Sequence, residues 1–185
     1  GFDGKAGTVD GKNVLAFGIE ALIAYKRDLH IMFSHECFHV YHMSVIGLDE
    51  SVFVEKARLS LPLWLEGMAT YVSGIANPGR SDAEILLSKK LDKLSPAEIR
   101  QMAKDFSAVT DLKVADEKNQ DIYNKWFSAG YTGATPERVG YKLGLEVVRH
   151  IVKTNDIRQM VKWNLDEIHL NVIHALSEMA GAGVR

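Results

Sequence analysis

The chain has 185 residues, 46% apolar and 25% charged, with a formal net charge of −2. Those proportions suit one folded domain with a sizeable core and exclude a mainly disordered chain. The near-neutral balance, with no basic block or stripe, gives no electrostatic footprint for nucleic acid or an anionic membrane surface.

The chain opens on Gly1 rather than Met, with no visible signal peptide, which suggests a processed protein or an excised domain. Residues 1–13, rich in Gly, Asp and Lys, read as a loop or short hairpin. Asn13 to Leu22 follows as a strand, with Leu15, Phe17 and Ile19 on one face. Asp28 to Ser44 reads as a helix with Asp28 as N-cap and Gly47 just past its end. Apolar residues surround this helix on every side, so it is expected inside the protein. It also carries His30, His35, Glu36, His39 and His42, polar groups that need partners when buried. The sole cysteine, Cys37, lies in the same helix; it rules out an internal disulfide and a cysteine-based structural zinc site, and reads as a core residue.

Leu63 to Gly74 is the next helix, after Pro62, and Asn77 to Asp82 a loop. Ser95-Pro96-Ala97-Glu98 is a capping box with proline at the first helical position. Asp111 to Gln120 is polar and expected to be exposed. Thr135-Pro136 reads as an N-cap pair opening a helix to about Thr154. Asp156 to Met179 forms one or two helices, broken near Asn164-Leu165. No apolar run approaches the roughly 18 residues of a membrane span. The fold class is α+β, mostly helical, with a small N-terminal β-sheet or hairpin.

The chemistry concentrates in His35-Glu36-Cys37-Phe38-His39. Residues four apart share one helix face, so two imidazoles at that spacing can close on one zinc ion. Glu36 then lies beside the open metal position, where it can take a proton from water. Glu66, in the apolar run Leu63 to Tyr71, is costly to bury without a cation or donor, and is the natural third ligand. His42 returns to nearly the same face and is a competing ligand in place of Glu66, but it lies about 10 Å further along the axis, so it is expected in the core or behind the ligands. Gly67 is expected to let its helix approach the metal helix closely.

HECFH followed by WLEGMATY resembles the gluzincin metallopeptidases, in particular the bacterial predicted zinc-dependent proteases. Pro136 to Gly144 is similar to a downstream P-x-x-x-G-Y-x-x-G stretch of that group. The resemblance runs, with gaps, over residues 14 to 175. It implies one zincin-like catalytic domain over 1–185, with an N-terminal strand region (1–26), metal-site helices (27–76) and a helical remainder (77–185). It also implies a Zn2+ cofactor, a peptide or protein substrate, and an extracytoplasmic or secreted setting. The strand from Val14 to Leu22 would align an extended peptide. An oxyanion donor is needed; Tyr141 leads, with Arg138 and His150 behind it and Tyr71 as a further hydroxyl. Gly140 and Gly144 offer a plainer reading of the Tyr141 region, a smooth helix face for close packing. His169 and His174 are expected to be structural or exposed. Thr70 stands where the thermolysin-like pattern has an aspartate, so orientation of the histidines must come from elsewhere. Two further readings are a zinc-bearing domain that binds a peptide or partner without turnover, and a zinc amidase acting on a non-protein amide.

Overall fold

The computed structural model describes residues 4–9, 12–26 and 28–181. Two strands, β1 (Gly4–Val9) and β2 (Lys12–Phe17), pair antiparallel, from Gly4 opposite Phe17 to Val9 opposite Lys12. The ladder stops at Phe17, earlier than the alternation predicts. Gly18 serves as N-cap of helix α1 (Ile19–Tyr25), and Ile19 and Ile23 face solvent instead of a core. Helix α2 (Leu29–Val45) begins as expected, with the Asp28 carboxylate accepting from the His30 N–H.

The remaining helices are α3 (Glu50–Lys56), α4 (Ser60–Ala76), α5 (Asp82–Ile85), α6 (Lys89–Asp92), α7 (Pro96–Ser107), α8 (Gln120–Phe127), α9 (Val139–Ile151), α10 (Ile157–Met160) and α11 (Leu165–Met179). Among the described residues no helix is long and apolar enough to cross a membrane. The capping box at Ser95 is present, with Glu98 accepting from the Ser95 backbone N–H at 2.7 Å. The break near Asn164 has its own reciprocal box, Asn164 with Glu167, which starts α11. Asp111 to Gln120 is less open than its polarity suggests. Leu112 and Val114 pack on the core, and Asn119 is buried, its side chain donating to the Lys113 carbonyl.

Helix α4 is the centre of the protein. Its run from Ser60 to Leu65 is buried, and so is the run from Gly67 to Thr70. Pro62 does not delay its start, because the backbone N–H groups of a first turn have no intrahelical partner to lose. Trp64 stacks on Trp163 with ring centroids 5.2 Å apart. Helix α9 crosses α4 at a glycine pair. A Cβ on Gly67 would stand 2.4 Å from the Gly144 carbonyl oxygen, and one on Gly144 would stand 2.4 Å from that of Leu63. Gly67 therefore brings α4 against α9, not against α2 as its place in the sequence suggests. Consecutive residues on a helix are about 100° apart, so Glu66 and Gly67 serve different neighbours. Gly140 packs in the same way on the end of α8, at Phe127 and Trp126.

Helix α2 buries only part of its surface. Ile31, Met32, Phe38, His39 and His42 are inside, while Leu29, Phe33 and Tyr41 are exposed. Its apolar periphery is thus not a sign of complete burial; Phe33 lies at the surface stacked on Phe17.

Candidate metal centre

Helices α2 and α4 are fixed in register by hydrogen bonds two turns from their polar centre. Ser73 donates to the Ile31 carbonyl at 3.0 Å, the Ser34 and Ser73 hydroxyls meet at 2.9 Å, and Asn77 donates to both Ser34 and the Ser73 carbonyl. Ser73 is seven residues after Glu66, so both lie on one face of α4. The same face that ties to α2 therefore delivers Glu66 to the histidines.

There the three side chains converge. His35 Nε2 lies 3.1 Å from Glu66 Oε2 and 3.0 Å from His39 Nε2, and His39 Nε2 lies 3.3 Å from the same carboxylate oxygen. A triangle of those sides has its centre about 1.8 Å from each corner. A point about 2.0–2.1 Å from all three, the usual zinc–ligand distance, therefore exists about 1 Å off the plane. The donor set, two imidazoles and one carboxylate, is that of a three-ligand zinc site with a position left for water. Among the described residues these three alone form a group able to hold a metal ion.

The electrostatics of the trio favour positive charge at its centre. Burial tends to raise the Glu66 carboxyl, but the His39 and His35 rings hold it well below the usual carboxylate range. Burial lowers His35 and outweighs its bond to Glu66. Burial also works against His39, yet the charges of Glu66 and Glu36 raise it overall. A divalent cation bound there would compete with protons for the same nitrogens and oxygen.

Beside the trio is a cavity of about 310 Å³. Helix α2 lines it with Ile31, Met32, His35 and Glu36, α4 with Thr70, and α9 with Tyr141, with Arg138 just before that helix. Gly4 at the start of β1 closes one side, so near that a Cβ there would come within 3.0 Å of Glu36 Oε1. The strand beside the cavity is thus β1, not the Val14–Leu22 segment expected to align a peptide. Residues 85–87 form another wall, held to α9 by a partly buried ionic network from Asp82. Arg149 grips Asp82 with two bonds of 2.6 Å, and Lys142 reaches Asp82 at 3.1 Å and Glu146 at 2.8 Å.

The Tyr141 ring lies nearly parallel to that of His35, with centroids 6.0 Å apart, and the Arg138 guanidinium carbon lies 4.2 Å from the centroid of the Tyr141 ring. Burial, then the charge of Glu66, pushes the Tyr141 phenol far above its ordinary value despite Arg138, so it stays a hydrogen-bond donor. The helix carrying it starts later than Thr135-Pro136 predicts. Glu137 accepts from the Gly130 N–H at 2.6 Å, which keeps 130–137 as a loop, and Arg138 adopts a left-handed backbone (φ 58°) before α9 begins. The Thr135 hydroxyl caps nothing and has no partner among the described residues.

The other candidates lie elsewhere. His150 does not border the cavity; it pairs with Glu178 at 2.6 Å. Tyr71 packs on the core. Cys37 is half-buried rather than fully in the core, its thiol pushed up by burial and by Glu36. His42 is buried against Phe38, and neither ring nitrogen has a partner among the described residues. His174 is exposed, whereas His169 is buried and accepts or donates at both nitrogens, to Ser60 Oγ at 2.8 Å and Asp111 at 3.0 Å. That serine–histidine–aspartate chain seals Ser60 inside, at 1% exposure, and leaves Asp111 outside, the reverse of what a nucleophile needs. Sequence reasoning missed Thr70, Gly4 and residues 85–87 as cavity walls. Only Gly4 carried a signal, as a glycine in a strand marking a close approach.

The sequence matches the family described as "Putative zinc dependent peptidase (DUF5700)" over residues 1–170. The chain belongs to this family. No curated protein and no solved structure matches it. In this DUF5700 member the zinc dependence in the family's description coincides with the His35, His39 and Glu66 trio, and the mostly helical fold with its N-terminal hairpin is the frame that assembles it.

Proposed function

We propose that this protein is a zinc-dependent metallopeptidase of the HExxH, gluzincin kind, in which His35, His39 and Glu66 hold the ion and Glu36 is the general base. The observation that carries this reading is the convergence of two ring nitrogens and one carboxylate oxygen within hydrogen-bond distance, with Glu36 lining the cavity next to them.

A zinc ion, when bound, supplies Lewis acidity, which makes water a better proton donor and polarises a carbonyl. The chain's own groups do the rest. Glu36 takes a proton from the attacking water and returns it to the leaving amine, a shuttle that one carboxylate can perform. Tyr141, kept protonated by its surroundings, offers its O–H to the carbonyl oxygen as negative charge grows there. Its ring has the His35 ring and the Arg138 guanidinium as close neighbours. Thr70, buried and lining the cavity, takes up the place an aspartate holds in the thermolysin-like pattern. Gly4 keeps β1 close to Glu36, so a peptide laid along that strand would bring its backbone to the base.

The test is a Glu36→Gln substitution. The variant should retain about one zinc per chain and lose peptide hydrolysis by about 10²- to 10⁴-fold. Hydrolysis at the wild-type rate would remove Glu36 from the mechanism.

A further inference from the structure

We infer that Arg138 is a positioning residue for Tyr141: it donates a hydrogen bond to the phenol oxygen, which leaves the tyrosine's own O–H to point at a carbonyl oxygen in the cavity. The inference rests on the peptidase reading above, in which Tyr141 is the donor to that oxygen, and adds the residue that aims it.

The chain builds the two residues as a unit. Arg138 stands three residues before Tyr141, and its carbonyl accepts the Tyr141 N–H at 3.0 Å. Both residues line the cavity. The guanidinium carbon lies 4.2 Å from the centroid of the Tyr141 ring, and the Arg138 side chain hydrogen-bonds the phenol. The residue just before a helix is commonly a short polar one whose side chain caps the first N–H groups. Arg138 provides no such cap to α9, and its side chain goes to Tyr141 instead. Its backbone stands at φ 58° and ψ 27°, the left-handed region, which L residues rarely enter and which persists only where the surrounding structure enforces it. The neighbours on both sides are fixed: Glu137 accepts from the Gly130 N–H at 2.6 Å, and Val139 is fully buried.

The direction of the bond follows from the groups that make it. A guanidinium has N–H donors and no acceptor, so the phenol oxygen must accept. The phenol's own hydrogen is not used by Arg138 and is left for another acceptor. With the Tyr141 ring 6.0 Å from that of His35, a carbonyl oxygen drawn to the metal centre is within the same cavity. Donation from a cation into the phenol oxygen also polarises its O–H and strengthens the bond that hydrogen goes on to make. Burial and the charge of Glu66 act against ionisation and outweigh Arg138, so the phenol keeps its proton. The result is a donor that is strengthened yet still protonated, as a developing oxyanion requires. Arginine is always charged, so the aim does not depend on pH.

The experiment is a double-mutant cycle on the zinc-loaded protein, read as kcat and KM on the best-cleaved member of a quenched-fluorescent peptide library. The phenol itself is followed by NMR on zinc-free protein isotopically labelled at the tyrosine Cζ. Arg138→Asn removes the guanidinium and suits the left-handed backbone, so the fold is kept. Tyr141→Phe should lower kcat by about 10²- to 10³-fold, the cost of losing an oxyanion donor. Arg138→Asn alone should lower kcat by about 10-fold, the worth of one hydrogen bond, with KM unchanged. Arg138→Lys, which keeps the charge but not the planar fork, should recover part of that loss. In the Tyr141→Phe background Arg138→Asn should cost nothing further, because the group it acts through is gone. The Tyr141 Cζ signal, identified by its loss in Tyr141→Phe, should move in Arg138→Asn. An equal loss of kcat in both backgrounds would overturn the inference, as would an unchanged kcat in Arg138→Asn, a change in KM alone, or a Cζ signal that stays in place. A moved signal in a protein that cleaves no peptide would keep the Arg138–Tyr141 pair and remove the peptidase reading. Cleavage with an equal loss in both backgrounds would keep the reading and remove the pair's part in it.

Discussion

Replacing Gly144 by alanine tests the crossing on which the site is built. The added Cβ would stand 2.4 Å from the Leu63 carbonyl oxygen and 3.0 Å from the Gly67 backbone, where ordinary contact begins at 3.4 Å. Both obstacles are main chain, so no side chain can turn aside, and α9 must move away from α4 by about 1 Å. Overpacking of this kind costs about 1–3 kcal/mol. Alanine's better helix propensity returns about 1 kcal/mol. With a rigid obstacle the upper part of the range applies, and the net loss should be about 2 kcal/mol, read as a lower urea midpoint. For a chain of this size that is also a fall in Tm of about 4–8 °C. The proposed zinc ligands sit on α2 and α4, so metal content should be unchanged. Tyr141 is on the displaced helix, about one turn from Gly144, and a 1 Å misplacement can cost about 100-fold in rate. Gly7→Ala, whose Cβ would meet nothing within 4 Å, serves as control. A Gly144→Ala protein as stable as the wild type, or more so, would show that propensity wins and that the helices are not in backbone contact.

Glu66→Ala should lower zinc affinity by more than about 100-fold, beyond the loss typical of groups behind the ligands, as measured by competition with a chelator. Asp82→Ala should destabilise the protein by about 3 kcal/mol in urea, since it leaves Lys142, 6% exposed, with Glu146 as its remaining partner. Burial, with His39 nearby, lowers the His42 pKa from 6.5 to about 4. As pH falls below 6.5 the unfolded chain takes up that proton first. The zinc-free protein should therefore lose about 3 kcal/mol between pH 6.5 and 4 that a His42→Leu variant does not lose.

The parts of the site that were legible in the sequence are those set by spacing along one helix or by the cost of burying charge. His35 and His39 share a face because they are four residues apart, and Glu66 stood out because a carboxylate among Leu63, Trp64, Leu65 and Met68 needs a partner. The parts that were not legible depend on which neighbour each face meets. Nothing local told that Gly67 would meet Gly144 rather than α2, or that Asp82 would reach Lys142 and Arg149 across 60 or more residues. Boundaries failed where a weak local signal met a stronger tertiary one. Leu15, Phe17 and Ile19 alternate, but the ladder pairs only to Phe17. Thr135-Pro136 had the chemistry of a cap, yet Glu137 bonds to Gly130 and the helix waits for Val139.

One arrangement explains why the two halves of the site have such different visibility. The half proposed to bind the ion is made by helices α2 and α4, joined through small polar groups, Ser34, Ser73 and Asn77, to which the sequence alone assigned no role. The half proposed to face substrate is brought in by α9, whose approach to α4 is set by the Gly67–Gly144 contact. A glycine contact has no directional hydrogen bond to hold it and is fixed instead by the surrounding core, with Leu143, Val147 and Val148 all fully buried. The position of Tyr141 and Arg138 relative to Glu66 is therefore as firm as the packing of α9, and core substitutions on that helix should alter turnover before they alter metal content.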